Sequence, residues 1–538
     1  MPAAVAAAAA GGCLAGAGVG AGSLAALLRR KSKIGPDDKE VRPDGYSSPG
    51  VSGKYASPVT HLRRQATLPG GAKPLAKISA DASLTKSLAD FQKMSRVSRS
   101  LEAEPFVDLL RRLIAESKYL QNNPRIGVHP EEKRAAQVVM KELGPYSTAC
   151  GGPLVVEELE YVPNRSNLKV VYPGTTGKTV AFIGSHFDVV PADPEQWDKD
   201  PFELTVEGDK LYARGTTDCL GHVALLTRFM VALAKAKPAL QRSIVVLFIA
   251  GEEGGETGVG VDMVVKNGKL DEVKGGPVYW VDSADSQPCC GTAGMMSWEL
   301  TANGRLFHSG FPQKGINSIE MLVEGLNLIQ RRFYEDFAPH PSEDGYGFSV
   351  GSNMKPTQIE CATGSLNQIC PEAKVSGDIR LSPFYEVEDV VHAMESYVKE
   401  LNEDVHELPG KGPWSRFALD DSVMTQPGEL RRGTFSLKWK GDVDTFRMYA
   451  GIACRLDSEG HKALVQACRE TYATVKPFSI NGSLPLVKMM QKQGFDIQLL
   501  GFGLMSVYHG VNEYCQLSDM KKAYEVVSRV ICLLETTI

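Results

Sequence analysis

The apolar run Val180-Ala-Phe-Ile-Gly-Ser185 passes without a break into His186-Phe-Asp188, as a buried strand that ends directly at ionisable side chains would. From about residue 155 onward, short apolar runs alternate with helical patterns, which predicts an α/β core with a mainly parallel sheet. Three runs end alike, each followed at once by ionisable side chains: 180–185 by His186 and Asp188, 243–250 by Glu252 and Glu253, and 277–281 by Asp282. Because ligands bind beyond the carboxyl ends of the strands in open α/β sheets, these side chains should meet at one edge.

Two further candidate residues stand close to the predicted starts of helices. Asp218 lies in Gly215-Thr-Thr-Asp-Cys-Leu-Gly221, which opens an apolar-periodic helix. Taken alone, this aspartate is equally well explained as the N-cap of that helix. His509 follows a Gly-rich stretch, residues 500–505, and precedes the final helix. Both side chains become candidate metal ligands because the strand ends already supply a histidine and several carboxylates that could bind a metal.

The candidate ligands are two imidazoles and three carboxylates: His186, Asp218, Glu253, Asp282 and His509. Nitrogen and oxygen donors without a thiolate suit zinc, cobalt or manganese better than a structural zinc site made of cysteines. Five ligands exceed the need of one catalytic zinc, whereas two metals that share one bridging carboxylate need five. The sequence therefore predicts two divalent ions. Asp188, on the same extended segment as His186, is expected to orient that imidazole.

Glu252 is left over from the ligand set. In isolation, a pair of adjacent glutamates is most simply a solvated turn. Here the pair follows directly on an apolar strand, which favours a buried position. A glutamate beside a metal ligand can take a proton from the attacking water, and burial can raise its pKa toward neutrality. We therefore predict that Glu252 is the general base.

These motifs resemble the co-catalytic zinc amidohydrolase and peptidase family. The resemblance rests on five separated motifs in the family's order and covers roughly residues 104–538: His186-x-Asp188-Val-Val-Pro191, Trp197 with Pro201-Phe202, Leu211-Tyr-Ala-Arg-Gly-Thr-Thr-Asp218, Glu252-Glu253 and His509. The segments 217–222 and 279–288 look most like the plant-type acetylornithine deacetylase branch of that family, which also includes succinyl-diaminopimelate desuccinylase, aminoacylase and glutamate carboxypeptidase.

The resemblance implies a role for each ligand. His186, Asp218 and Asp282 would hold one metal, and Asp218, as the bridge, would hold the other with Glu253 and His509. Zinc is the metal that the resemblance favours, with cobalt as the alternative. Asp285 competes with Asp282, but Asp282 directly follows its strand and is preferred.

The resemblance also implies a lid domain, inserted into the catalytic domain, through which the protein forms a homodimer. Residues 298–310 look like its first strand, with His308 reaching across the dimer to stabilise the oxyanion; a surface histidine is the alternative. Asn367 and Arg380 match lid motifs for a substrate carboxylate, although Arg380 could instead form a structural salt bridge. Gly482-Ser483 matches a substrate loop of the family loosely.

Charge separates an N-terminal arm from the body. Residues 1–100 hold 15 Lys and Arg against 6 Asp and Glu, whereas the remaining residues hold 44 against 58. An acidic body repels phosphates, which argues against a nucleic-acid binder. The uncharged Ala/Gly run 2–28 lacks the apolarity of a stable membrane anchor, so the arm is a disordered extension or a transit peptide, with the protein in the cytoplasm or a plastid. Eleven scattered cysteines favour a reducing compartment.

A competing pattern, Gly347-Phe-Ser-Val-Gly351, has the form of a serine-hydrolase elbow. That elbow needs a buried strand before it, and a polar loop stands there instead, so a serine hydrolase is set aside. The predicted domains are the arm (1–100), a catalytic domain in two parts (101–296 and 456–538) and a smaller α+β lid (297–455).

The predicted reaction is metal-dependent hydrolysis of an N-acyl amino acid, with N2-acetylornithine as the expected substrate. A dipeptidase, an aminoacylase or a carboxypeptidase with the same metal motifs is the alternative within enzymes. A non-catalytic scaffold descended from such an enzyme is the alternative from another class. Retention of every expected ligand together with Glu252 counts against the scaffold.

Overall fold

The structure is a computed structural model that describes residues 100–123, 127–283, 285–414, 416–440, 448–484 and 486–536. The predictions for the N-terminal arm therefore lie outside the described residues, apart from Ser100. The helices in the described part are α1 (Ala103–Ile114), α2 (Lys133–Leu143), α3 (Leu220–Ala236), α4 (Val261–Lys266), α5 (Ser318–Asp336), α6 (Val387–Glu403), α7 (Glu459–Tyr472), α8 (Val487–Lys492) and α9 (Leu517–Thr536).

The strands are β1 (Val155–Val162), β2 (Arg165–Tyr172), β3 (Thr179–His186), β4 (Thr205–Glu207), β5 (Lys210–Tyr212), β6 (Ser243–Ile249), β7 (Pro277–Val281), β8 (Cys289–Thr292), β9 (Gly294–Asn303), β10 (Asn353–Cys361), β11 (Glu372–Leu381), β12 (Thr434–Trp439), β13 (Met448–Tyr449), β14 (Ile452–Ala453), β15 (Phe478–Ile480), β16 (Asp496–Leu500) and β17 (Tyr514–Gln516). They form three sheets, of which the smallest contains only β4, β5 and β17.

The largest sheet has nine strands in the order β1-β2-β6-β3-β7-β16-β8-β14, with β15 paired to β8. Its four central strands, β6, β3, β7 and β16, run parallel to one another. Every residue of β3 and of β7 is buried, which explains why these strands are continuous apolar runs rather than alternating ones. The predicted mixed α/β sheet with a parallel centre is confirmed.

Helices cover both faces of this sheet. Val180 and Phe182 of β3 pack in one apolar cluster with α1, α3 and α9. Ala181 and Ile183 of the same strand point to the other face and pack with α4 and α8. This alternation follows from the two-residue repeat of a strand, and it buries the sheet between two helical layers.

The lid sheet is antiparallel, in the order β10-β11-β9-β12 with β13 also paired to β9. One apolar cluster joins its inner face to α5 and α6. β9 starts at Gly294, and the chain is back in the large sheet at Ile452. The expected smaller α+β unit is thus present, and the domain limits stay a prediction. Among the described helices, none combines the length and apolarity needed to cross a bilayer.

Candidate metal centre

His186 stands at the carboxyl end of β3, and its orientation is fixed by its neighbours. The register of β3 against β6 shifts between Ile183 and His186, at a point where Gly184 has a φ of +96° and a Cβ would meet the Trp280 ring at 2.6 Å. The Nδ1 of His186 donates to the backbone oxygen of Asp188 at 2.8 Å. Its Nε2 therefore faces the site, 3.0 Å from Asp218 Oδ1 and 3.5 Å from Asp282 Oδ1.

A second group of donors surrounds His509. Its Nε2 lies 2.8 Å from Asp218 Oδ2 and 3.1 Å from Glu253 Oε2. Asp218 thus turns one carboxylate oxygen toward each histidine. Within each group, all the ligand atoms lie within 4.8 Å of one another. The structure therefore brings together all five residues that the sequence singled out as ligands, in two groups that share Asp218.

The two aspartates that competed for one ligand position have different surroundings. Asp282 Oδ1 faces His186 and accepts a hydrogen bond from the Tyr508 hydroxyl at 3.1 Å. Asp285 accepts from the backbone amide of Met505 at 3.0 Å, so its carboxylate holds a loop. The geometry supports the preference for Asp282.

Asp188 connects His186 to the loop that carries the two glutamates. Its carboxylate accepts the backbone amides of Glu252 and Glu253 at 3.2 and 3.0 Å, and the Asn122 side-chain amide at 2.8 Å. It is fully buried. Asp188 therefore holds the strand end that bears His186 against the loop after β6, and Glu252 Oε2 lies 3.9 Å from His186 Nε2.

The crowding of buried carboxylates in the cluster shifts the pKa values of Glu252, Glu253 and His509 in the directions that add positive charge or remove negative charge. Burial, and then the nearby Asp282 carboxylate, raise the pKa of Glu252 well above its usual range. Burial and the Asp218 charge raise the pKa of Glu253 to about 7. Against its burial, hydrogen bonds from His186 and His509 hold the pKa of Asp218 well below the usual range. Burial opposes a proton on His509, but its contacts with Asp218 and Glu253 raise the pKa of this imidazole to about 11.

This donor set fits divalent cations. Two imidazole nitrogens and three carboxylates converge on a partly buried space, and the carboxylates there outnumber the imidazoles. Cys219 also lies in the His186 group, a soft donor that the sequence analysis did not consider. Imidazole and carboxylate donors of this kind suit divalent metal ions.

The loop that bears Asp218 is anchored by a residue that the sequence analysis missed. Glu513 is fully buried and accepts the backbone amides of Thr217 and Asp218 at 2.7 and 3.0 Å. Arg214, also buried, donates to the same carboxylate at 2.6 Å. A signal was present, since Glu513 lies in the segment 508–514 that contains His509.

Three more neighbours of the cluster were not foreseen: Asn122, Tyr508 and His222. His222 Nε2 accepts the backbone amide of Phe502 at 2.8 Å, and its Nδ1 lies 3.1 Å from the Cys219 sulfur. Tyr508 stacks on the His509 ring with a centroid distance of 5.3 Å. Nothing in the polar stretch around Asn122 marks it in the sequence.

The predicted lid residues lie in two places. His308 and Asn367 are both exposed, and the backbone amide of Ser309 donates to the Asn367 carbonyl oxygen at 2.8 Å. Within the described residues, neither side chain contacts the metal cluster. Arg380 donates to Asp378 at 2.8 Å and to the Ser483 hydroxyl at 3.2 Å, and Ser483 also bonds the Tyr449 hydroxyl. The loosely matched loop 482–483 thus meets Arg380.

With the fold and the donor set in view, comparison with known proteins identifies the class. The family described as peptidase family M20/M25/M40 matches residues 182–532, and the chain belongs to this family. The resemblance seen in the sequence motifs is confirmed, and the protein is a hydrolase.

This chain aligns with two curated relatives over nearly the whole length of each. An acetylornithine deacetylase of Arabidopsis thaliana is 48% identical, over 81% of this chain and 97% of the relative. An acetylornithine deacetylase of Dictyostelium discoideum is 46% identical, over 84% of this chain and 100% of the relative.

Solved structures share the fold at lower identity. The metallo-carboxypeptidase Sso-CP2 of Sulfolobus solfataricus superposes with a TM-score of 0.57 at 18% identity, over 81% of this chain and all of that one. The YXEP protein of Bacillus subtilis, described as a dinuclear metal-binding peptidase, gives 0.52 at 13% identity, over 81% of this chain and all of that one. At these identities the likeness supports the fold.

Proposed function

We propose that the protein is a metal-dependent hydrolase that removes the acetyl group of N2-acetylornithine and releases ornithine and acetate. The observation that carries this function is the shared carboxylate of Asp218 between the His186 and His509 groups. Near-complete coverage of two acetylornithine deacetylases supports the choice of substrate.

Two divalent ions, zinc or alternatively cobalt, are proposed for the two groups. His186 and Asp282 would hold one ion, Glu253 and His509 the other, and Asp218 both. Ions bound there would polarise the amide carbonyl and make water more acidic. Asp188 keeps His186 Nε2 directed at the site by fixing its Nδ1 side.

Glu252 is proposed to move the proton. It is buried, it lies beside the His186 group, and burial raises its pKa, which makes its carboxylate a stronger base. As the attacking water adds to the carbonyl carbon, Glu252 takes its proton. It then delivers that proton to the amine nitrogen as the amide bond breaks, which turns ornithine into a good leaving group.

The lid is proposed to bind the rest of the substrate. Arg380, half-buried and oriented by Asp378 and Ser483, would hold the substrate α-carboxylate, with Asn367 making a polar contact beside it. His308 would stabilise the oxyanion. Its exposed position supports the proposal that the lid forms a homodimer and presents His308 to the active site of the other subunit.

The division into domains is also a proposal. It assigns residues 101–296 and 456–538 to the catalytic domain and 297–455 to the lid. For the arm, residues 1–100, the basic charge and the lack of early acidic residues support a transit peptide or an extension, with an intracellular location in the cytoplasm or a plastid.

A substrate panel tests this function. The full chain, stripped of metal and reloaded with zinc or with cobalt, is assayed against N2-acetylornithine, other N-acetyl amino acids and dipeptides. Release of ornithine at the highest kcat/KM supports the proposal. Higher kcat/KM on a dipeptide or another acyl amino acid would assign a different reaction of the same family.

Glu252→Gln is the matched control for that panel, because it keeps the size and hydrogen-bonding capacity of the side chain and removes the base. Loss of a general base typically costs about 10²- to 10⁴-fold in rate. We expect turnover to fall by that amount while the metal content by elemental analysis stays at the wild-type value. A fully active variant would remove Glu252 from the mechanism.

A further inference from the structure

Two cysteines stand at the base of the loop that joins β10 to β11. Cys361 ends β10, and Cys370 lies just before β11 begins. The amide of Ala362 donates to the Glu372 carbonyl oxygen at 2.9 Å, and the Cys370 thiol donates to the same oxygen at 3.1 Å. The Cys370 sulfur also lies 3.9 Å from the Ala362 carbonyl oxygen. Cys370 is therefore held against the backbone that directly follows Cys361.

Accessibility separates this pair from most other cysteines. Cys361 is exposed and Cys370 is partly exposed, and both are free thiols. Cys150, between α2 and β1, is the other exposed cysteine among the described residues, and the rest of the described cysteines are buried. A soluble disulfide can therefore reach Cys361 and Cys370, whereas the buried thiols are shielded from it.

The loop between the two thiols is paired with the segment that carries His308. The amide of Ile369 donates to the Phe307 carbonyl oxygen at 2.7 Å, and His308 forms a β-bridge with Gln368. Asn367 joins the same contact through its carbonyl oxygen. A covalent bond at the base of the loop would thus restrain two segments of the lid together.

We propose that Cys361 and Cys370 form a reversible disulfide that closes the loop 362–369. The oxidant is a small disulfide such as glutathione disulfide. One cysteine thiolate attacks a sulfur of that disulfide and releases one glutathione thiolate, and the second cysteine thiolate attacks the mixed disulfide and releases the other. The two cysteines lose two electrons and two protons, and two molecules of glutathione gain them.

The thiol environment sets the pace of this exchange. The partial desolvation of the otherwise exposed Cys361 thiol, and then the neighbouring Cys370 thiol, raise the pKa of Cys361. Because the thiolate is the attacking form, a raised pKa slows the reaction at neutral pH. We expect the rate of closure to increase as the solution becomes more alkaline.

Peptide mapping of the full chain tests the proposal. The protein is equilibrated with defined ratios of oxidised to reduced glutathione, free thiols are blocked with N-ethylmaleimide, and trypsin is added. Cleavage after Arg332 and Lys374 leaves both cysteines in one peptide, because the Lys355-Pro356 bond resists trypsin. In the oxidised protein this peptide should carry no N-ethylmaleimide and be lighter by about 2 Da than the same peptide with two free, unblocked thiols, and dithiothreitol before blocking should restore both sites of modification.

Three variants sharpen the result. Cys361→Ser and Cys370→Ser should each abolish the internal disulfide, whereas Cys150→Ser should leave it unchanged. Amide hydrogen exchange over 362–369 should slow several-fold on oxidation of the wild type and stay unchanged in Cys361→Ser. Full blocking of both thiols even in excess glutathione disulfide would overturn the proposal. So would a stable glutathione adduct on one cysteine, or a cross-link between two chains on a non-reducing gel.

Discussion

Asp218 turns its two carboxylate oxygens toward different histidines, at 3.0 Å from His186 and 2.8 Å from His509. One side chain therefore serves both halves of the proposed metal centre. By comparison, Asp282 lies beside His186, and Glu253 lies beside His509. The bridge is the position at which a single substitution should affect both ions.

Asp218→Asn should lower the occupancy of both metals, because the amide nitrogen cannot coordinate as a carboxylate oxygen does. Elemental analysis after dialysis measures this as a loss of more than one equivalent of metal per chain. Asp285→Asn is the control, since Asp285 holds a neighbouring loop and should keep the wild-type content. Unchanged stoichiometry in Asp218→Asn would contradict the ligand assignment.

Glu513→Ala should be strongly destabilising. It would leave Arg214 buried without its counter-charge and would remove the acceptor for the Thr217 and Asp218 amides. Removing one partner of a buried ion pair costs about 3–5 kcal/mol. Urea denaturation gives the free energy of unfolding.

A surface pair provides the comparison for Glu513→Ala. Asp271 and Lys274 form an exposed ion pair at 2.8 Å, and such pairs contribute less than about 1 kcal/mol. Asp271→Ala should therefore have little effect on the free energy of unfolding. Equal losses in the two variants would show that Glu513 is not a structural anchor.

The sequence could predict which ionisable side chains meet, because each stands beside a strand end or a helix start and the sheet gathers those ends. His186, Glu253 and Asp282 are of this kind. Glu513 and Asn122 act through backbone amides and carboxylates far away in the chain. Those partners are set by tertiary packing, which local sequence patterns do not contain.

The central strands of the large sheet could be predicted from continuous apolar runs in the sequence, whereas the contacts of the lid with other parts of the chain could not. Continuous apolar runs marked β3, β6 and β7, and the structure has all of them in the parallel centre. The meeting of Arg380 on β11 with Ser483 depends on how the two sheets are connected. A pattern with a two-residue repeat predicts a face of a strand but not its distant neighbour.

Helix α7 carries a histidine that should make stability depend on pH. His461 is buried, its Nδ1 donates to Gln498 of β16 at 3.1 Å, and burial lowers its pKa below 6.5. Below pH 6.5 the unfolded chain therefore binds a proton that the folded chain does not. The free energy of unfolding should fall as the pH drops through 6.5, until the lowered pKa of the folded state is reached.

Urea denaturation at several pH values measures this effect. His461→Gln keeps a hydrogen-bonding side chain and cannot titrate, so its free energy of unfolding should fall less on acidification than that of the wild type. His406→Gln, at an exposed lid position, is the control and should behave as the wild type does. If the free energy of unfolding of His461→Gln fell more steeply on acidification than that of the wild type, the proposed effect of His461 on stability would be contradicted.

For the whole molecule, the proposed dimer predicts complementation between two inactive variants. His308→Ala should lose about 10²- to 10³-fold in kcat, in line with the removal of an oxyanion donor. If His308 acts on the partner's site, a mixed dimer with Glu252→Gln has one site with both groups intact. Equal mixing and reassembly should then recover about one quarter of wild-type activity, since half of the dimers are mixed and each has one working site.

Activity of the mixture is measured after the two variants are unfolded and refolded together, with each variant refolded alone as the control. Light scattering on the same samples gives the mass of the assembly. A monomer, or a dimer whose mixture stays as inactive as its components, would contradict the trans arrangement.

The large sheet meets the inserted lid at a pair of adjacent positions. Thr292, the last residue of β8, pairs antiparallel with Ile452 of β14, and the five strands of the lid sheet, β9 to β13, all lie between them in the chain. In the large sheet, residues 293–451 therefore stand in the chain where a hairpin turn would join β8 to β14. An insertion whose ends are already neighbours adds little closure cost to its host. A short turn grafted between Thr292 and Ile452 is therefore the natural starting point for a lidless form that keeps the large sheet and the β4-β5-β17 sheet and in which the metal cluster can be studied without Arg380 and His308.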